Sequence, residues 1–171
     1  MLALLLTLAG TNLEAEVDIL AQSKSGKVLC SNPDAATKSC SSITTFSTSV
    51  EGAVTETTEI LLTPDQPLTV TMSTGSQVVG GSYCGVMTMD ELRRGQVRLS
   101  GQALPADRNA LVLQRLEASM GPLAGKKACD VIRVENNGLV KYGQIEGVEL
   151  KLPRKPVMWV SPDDGYKVAP R

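Results

Sequence analysis

The sequence predicts an α+β fold: mostly antiparallel strands with one or two helices in the middle, stapled by two disulfides. Three observations predict it. Stretches of period-two alternation lie on both sides of the chain's centre, and the centre itself has the three-to-four spacing of an amphipathic helix. Turn-forming residues punctuate those stretches. Cys30, Cys40, Cys84 and Cys129 are spaced unlike a metal site and follow an apolar N-terminal run.

That run comes first in the chain. Leu2 to Leu8 reads Leu-Ala-Leu-Leu-Leu-Thr-Leu and is followed by Ala9-Gly10, which has the length and character of a signal-peptide core and is far too short to span a bilayer. The expectation is a signal peptide over 1–15, cut after Ala15, and a single domain over 16–171. No Lys or Arg precedes the run, so either the true start lies upstream of Met1 or the signal is a minimal one.

Val28-Leu29 reads as a short strand, and Asn32-Pro33-Asp34 as a turn. Ser41 to Thr58 is rich in Ser and Thr with scattered Ile43, Phe46, Val50 and Val54, a composition that fits strands with one wet face. Glu51-Gly52 is the turn between two of them. Strand continues over Thr57 to Leu62 and breaks at Pro64-Asp65-Gln66-Pro67. Leu68-Thr69-Val70-Thr71-Met72 alternates with period two and is expected to be half-buried. Gly75 and Gly80-Gly81 punctuate the approach to Cys84.

Thr88-Met89-Asp90-Glu91 has the pattern of a capping box: the Thr88 hydroxyl accepts from a free helix N–H while Glu91 reaches back. The helix is short because Gly95 follows. A second helix is expected from Pro105 to Met120. Pro105 suits the first helical position, and Ala106, Ala110, Leu113, Leu116 and Met120 share one face. Gly121-Pro122 stops it. Val131 to Val134, the turn Asn136-Asn137-Gly138 and the return strand Leu139 to Tyr142 form a predicted hairpin. Val148 to Leu152 alternates again, and Val157 to Val160 is a final apolar strand.

The composition narrows the function. Seventeen basic residues against 18 acidic ones give a formal charge of −1, and no Lys/Arg cluster exceeds a pair, so a nucleic-acid partner is not expected. No later segment is long and apolar enough to be transmembrane. The aromatic fraction is only 3%, so the core must be largely aliphatic. There is no histidine, which excludes Ser-His-Asp and Cys-His catalysis and His-ligated metals. Zinc sites place cysteines two to four residues apart, whereas Cys30 and Cys40 are far wider than that. Disulfides are therefore expected, each contributing about 3–4 kcal/mol in the chain-entropy model. Of the three pairings open to four cysteines, Cys30–Cys40 is favoured because it closes a turn-forming stretch, and this leaves Cys84–Cys129.

No metal or cofactor is expected, and no Cys-x-x-Cys, Ser-x-x-Lys, Gly-x-Ser-x-Gly or phosphate-loop motif occurs. The adjacent acidic pairs, Asp90-Glu91 and Asp163-Asp164, read as helix-start and turn chemistry. The C-terminal stretch places Trp159 and Tyr166 close together. It reads as a core anchor followed by a terminal turn, with an exposed recognition patch as the functional alternative.

Three stretches together resemble small exported proteins of alphaproteobacteria that carry no assigned activity. They are Leu29-Cys30-Ser31-Asn32-Pro33-Asp34 to Thr37-Lys38-Ser39-Cys40, Gly125-Lys126-Lys127-Ala128-Cys129, and Trp159-Val160-Ser161-Pro162-Asp163-Asp164-Gly165-Tyr166-Lys167-Val168. The resemblance implies an envelope location and two disulfides. It carries no catalytic residue. The resulting expectation is a periplasmic or secreted, non-enzymatic module that binds an envelope protein or a small ligand. Two alternatives stand beside it: a small hydrolase using carboxylates or a Ser–Lys pair, and an enzyme inhibitor presenting the Cys30–Cys40 loop.

Overall fold

The computed structural model describes residues 17–136, 138–149 and 152–171. In chain order its elements are α1 (Ile19–Lys24), β1 (Val28–Ser31), β2 (Ser39–Cys40), β3 (Ser42–Thr48), β4 (Val54–Thr63), β5 (Gln66–Val79), β6 (Ser82–Val86), α2 (Met89–Arg93), β7 (Gln96–Leu99), β8 (Gln102–Ala103), α3 (Ala106–Met120), β9 (Lys127–Glu135), β10 (Gly138–Ile145), β11 (Lys155–Val160) and β12 (Lys167–Val168). The signal-peptide expectation over 1–15 lies outside the described residues.

Strands β1, β3, β4, β5, β6, β9, β10 and β11 each pair antiparallel with the next, and β11 pairs back onto β1. The result is a closed eight-stranded up-and-down barrel, which leaves no open sheet edge in its wall. The fold is therefore mainly β, which corrects the α+β expectation. The antiparallel strands and the central helices are present, but the helices do not form a layer of their own. They belong to the long β6–β9 connection and pack at one end of the barrel.

That end is built on β5, the longest strand. Its first part pairs with β4 on one side and β7 on the other, and its last residues pair with β6. Helix α3 lays Leu113 against Val70 and Val97, with Val112 and Leu116 beside it. Leu113, Leu116 and Met120 of the predicted face turn inward, whereas Ala106 and Ala110 are exposed. Asn109 takes their place in holding the helix. Its Oδ1 accepts from Val97 N–H at 2.7 Å and its Nδ2 donates to the Gly95 carbonyl at 3.2 Å. The Thr88–Glu91 capping box is formed as expected. Pro105 precedes the first helical residue rather than occupying it.

The opposite end is where the β3–β4, β5–β6 and β9–β10 hairpins turn. There Leu29, Phe46, Tyr83, Ile132 and Val157 close on Ile19 of α1 as one buried cluster. Asp18 caps α1 by accepting from Ala21 N–H at 2.9 Å. This floor is an apolar plug.

Both favoured disulfides are present. Cys84 and Cys129 are direct cross-strand partners on β6 and β9, with Cα atoms 4.0 Å apart. Cys30 and Cys40 bridge at 5.5 Å and pack with Val160 outside the wall. The loop they close is pinned along one side by β12, which runs parallel to β2. The Arg171 guanidinium donates to the Asn32 carbonyl there.

One strand expectation fails. Val148 and Glu149 lie in the connection after β10 rather than in a strand, and 150 and 151 lie outside the described residues. After this connection Leu152 folds back onto the wall. A Cβ on Gly143 would meet Leu152 Cδ1 at 2.8 Å and Asp130 Oδ1 at 3.0 Å, so the two side chains pack directly over this glycine and would have to shift for a larger residue.

Candidate ligand-binding lumen

The alternation of each strand decides what faces the barrel axis. On β9, Asp130 shares its face with Ile132, and on β10, Lys141 shares its face with Leu139. On β4, Glu56 lies opposite the core residue Phe46. Charged side chains are thus drawn onto the inward face of the wall, above the apolar floor.

They form a connected belt. Tyr83 O–H donates to Asp130 Oδ2 at 2.8 Å. Lys141 Nζ lies 3.0 Å from the same carboxylate oxygen and donates to Tyr83 Oη at 3.1 Å. Across the lumen, Glu56 accepts from the Thr58 hydroxyl at 2.9 Å and from the Ser76 hydroxyl at 3.2 Å. The Thr44 and Thr58 hydroxyls lie 2.9 Å apart. Lys155 is the cross-strand partner of Lys141 and completes the belt near the rim. Among the described residues, neither Glu56 nor Lys155 enters an ion pair.

Above the belt is open space. A cavity of about 450 Å³ reaches from Tyr83, Asp130 and Lys141 to a rim of Met72, Met87, Leu92, Met120, Ile145 and Leu152. The protonation preferences follow from this setting. Burial pushes the Glu56 carboxyl above its ordinary value, against the Thr58 and Ser76 hydroxyls and the Lys141 charge, which favour ionisation. Lys155 is exposed at the rim; partial desolvation, and next the Lys141 charge beside it, lower its ammonium. Burial and the nearby acids hold the Tyr83 phenol well above its usual range, so it stays a donor. Among the described residues no group of three or more Asp, Glu, Cys or His could hold a metal ion.

The residues singled out in the sequence lie elsewhere. Trp159 faces inward beside the floor, 6.3 Å from the Phe46 ring between centroids. Tyr166 packs outside the wall against the Cys30–Cys40 bridge, with Lys38 Nζ 4.7 Å from its ring centroid. The two aromatics thus belong to different clusters on opposite sides of β11. Asp90-Glu91 starts α2, and Asp163-Asp164 forms a capped 3₁₀ turn. Glu56, Tyr83, Asp130, Lys141 and Lys155 were not foreseen. The signal for two of them was present: Asp130 and Lys141 each stand two residues from an apolar residue in a predicted strand, a charge on an otherwise apolar face.

Fold and site together define a closed β-barrel with an apolar floor, a charged belt and an open, methionine-rimmed pocket. No known family, curated protein or solved structure matches this chain.

Proposed function

We propose that this protein is a binding protein of an extracytoplasmic compartment, taking a small amphipathic ligand into its barrel with the polar end inward. The observation that carries the reading is the cavity of about 450 Å³ above a belt of polar groups. Eight-stranded barrels either fill their interior with side chains or keep room for one small ligand. Here the lower half is filled and the upper half is not. The volume falls in the usual range for small-molecule sites, and the few polar groups inside an apolar surround are what orient a ligand. The apolar start of the chain and the two disulfides support the compartment.

Catalysis has weaker support. The cysteines are bridged, the chain has no histidine, and Asp130 is committed to Tyr83 and Lys141. An inhibitory Cys30–Cys40 loop is disfavoured by the C-terminal strand that holds one of its sides.

The test is titration with an apolar fluorescent amphiphile. The protein should enhance its fluorescence, and Thr74→Trp, which fills the lumen from β5, should abolish the enhancement while circular dichroism stays unchanged. Equal binding by a folded Thr74→Trp variant would place the dye outside the barrel and remove the basis for the proposal.

A further inference from the structure

We infer that the ligand is a monovalent cation, a primary amine on an apolar body, whose ammonium group bonds to Glu56 on the lumen wall. This rests on the lumen being the binding site and adds which head group it takes. Inside the rim, the charged side chains lining the cavity are Glu56, Asp130 and Lys141. Asp130 and Lys141 pair at 3.0 Å, and the Tyr83 hydroxyl bonds to both, so these three make a neutral unit. Glu91, at the mouth, is held by Thr88 in the α2 capping box, and Lys155 is exposed at the rim, where water weakens its field. Glu56 is then one carboxylate in excess, and among the described residues it enters no ion pair.

The hydrogen bonds around Glu56 select the head group. Thr58 donates its one hydroxyl proton to Glu56 Oε1, so in the 2.9 Å contact between Thr44 and Thr58 it is Thr44 that donates. Ser76 donates to Oε2. The three hydroxyl protons all run toward the carboxylate, and what these groups still offer the lumen is acceptor lone pairs. An ionised carboxylate has about four acceptor positions, and Thr58 and Ser76 fill only part of them. An ammonium group carries three donors and no acceptor, so it matches this surface in charge and in hydrogen bonding. A carboxylate or phosphate head would bring like charge and more acceptors, and an alcohol would bring one proton and no charge.

The open space borders this acid. Gly85 is the cross-strand partner of Ser76 on one side and of Ala128 on the other, and Gly85 and Ala128 both line the cavity. The wall there carries nothing larger than a methyl group. A Cβ on Gly85 would meet Thr74 Cγ2 at 3.1 Å and Ser76 Oγ at 3.4 Å, so the bare backbone stands directly beside the hydroxyl that bonds to Glu56. The apolar body of the ligand would lie against Met72, Met87 and Met120, which are unbranched and adapt to varied shapes. The lumen should therefore read the head group strictly and the apolar body loosely.

Octylamine, octan-1-ol and octanoate share one chain and differ in the head group. At about pH 7 the amine is protonated, since an alkylammonium group titrates at about pH 10. Each compound is used to displace the fluorescent amphiphile from the wild type, Glu56→Gln and Glu51→Gln, with thermal melts to check the folds. Glu51 is exposed in the β3–β4 turn, so its variant removes the same charge away from the lumen. The wild type and Glu51→Gln should bind octylamine about tenfold or more tighter than octanol, and octanoate more weakly than octanol. Glu56→Gln should bring octylamine to the level of octanol and leave octanol unchanged. The inference is overturned if octanol or octanoate binds the wild type as well as octylamine does, a ranking that needs no variant. It is also overturned if Glu56→Gln weakens amine and alcohol alike or keeps the preference for the amine, or if Glu51→Gln loses that preference equally. If the amphiphile binds and none of the three displaces it, the inference fails and the lumen reading stands. If the amphiphile itself does not bind, both fail.

Discussion

Phe46 and Glu56 are direct partners in the β3–β4 register, yet they belong to different halves of the barrel. Phe46 is 4% exposed and touches the Tyr83 ring edge-on, with centroids 5.0 Å apart. Glu56 faces hydroxyls and open space. Below this level the inward side chains are mostly apolar and packed on one another. Just above it lie the polar groups of the belt, bonded to one another, and beyond them the unfilled space with its apolar rim. Close packing makes the floor the stabilising half, since each buried apolar side chain contributes about 1.5–3 kcal/mol by transfer alone. The belt contributes less stability and holds the chemistry.

The largest expected effect tests that division. Phe46→Ala removes the ring that joins Ile19, Leu29 and Tyr83 and should cost about 3–5 kcal/mol in urea unfolding. Thr44→Val, one step up the same strand face, should cost no more than about 1 kcal/mol. Thr58 keeps the Glu56 carboxylate as its acceptor in that variant. Similar losses for the two substitutions would erase the distinction between floor and belt.

The disulfides extend the contrast to the wall and its outside. Cys84–Cys129 closes a 45-residue separation carrying α2 and α3, whereas Cys30–Cys40 closes a separation of 10. The chain-entropy model assigns about 4 kcal/mol to the first and about 3 kcal/mol to the second. The double Ser variant of each pair, unfolded in denaturant, should preserve that order. The reverse order would show that the outer loop, and not the wall, limits stability.

Tyr83 belongs to both halves, with its ring in the floor and its hydroxyl in the belt. Tyr83→Phe keeps the ring contact with Phe46 and removes a donor to Asp130 and an acceptor for Lys141. The expected cost is about 1–2 kcal/mol, with most of the packing intact. A cost near that of Phe46→Ala would mean that the belt is as much a part of the folding core as the floor.

The local elements were largely legible in the sequence, because caps, turns and alternation act over a few residues. Thr88 with Glu91, the breaks at Glu51-Gly52 and Pro64-Asp65, and the Val131 to Tyr142 hairpin all reflect such short-range rules. Both cysteine pairings were also favoured from spacing. Closure was not legible, because the pairing of β11 with β1 joins residues more than a hundred positions apart and leaves no periodic trace. The belt was missed for a related reason. Acidic neighbours in sequence such as Asp163-Asp164 stand in turns, whereas the belt is assembled from β4, β6, β9, β10 and β11. Strand β4 hid its inward acid further, since all ten of its residues are partly buried and no face stands out.

The smallest expected effect bears most directly on the belt. Burial raises the folded-state affinity of Glu56 for a proton above that of an ordinary glutamate, near 4.5. At neutral pH the carboxylate is charged in the folded and unfolded chains alike, and only the folded chain bears the burial cost. As pH falls, the folded state takes up its proton first, so the penalty fades through the folded value and is gone below about pH 4. Glu56→Gln removes the charge and should raise Tm at pH 7 by on the order of 2 °C, which corresponds to somewhat under 1 kcal/mol for a chain of this size. The gain should vanish near pH 4. Thermal melts of the two proteins from pH 4 to 8 measure it. A lower Tm for Glu56→Gln at pH 7 would mean that Lys141 already compensates Glu56. The upper half of the barrel would then have no spare negative charge to offer a ligand.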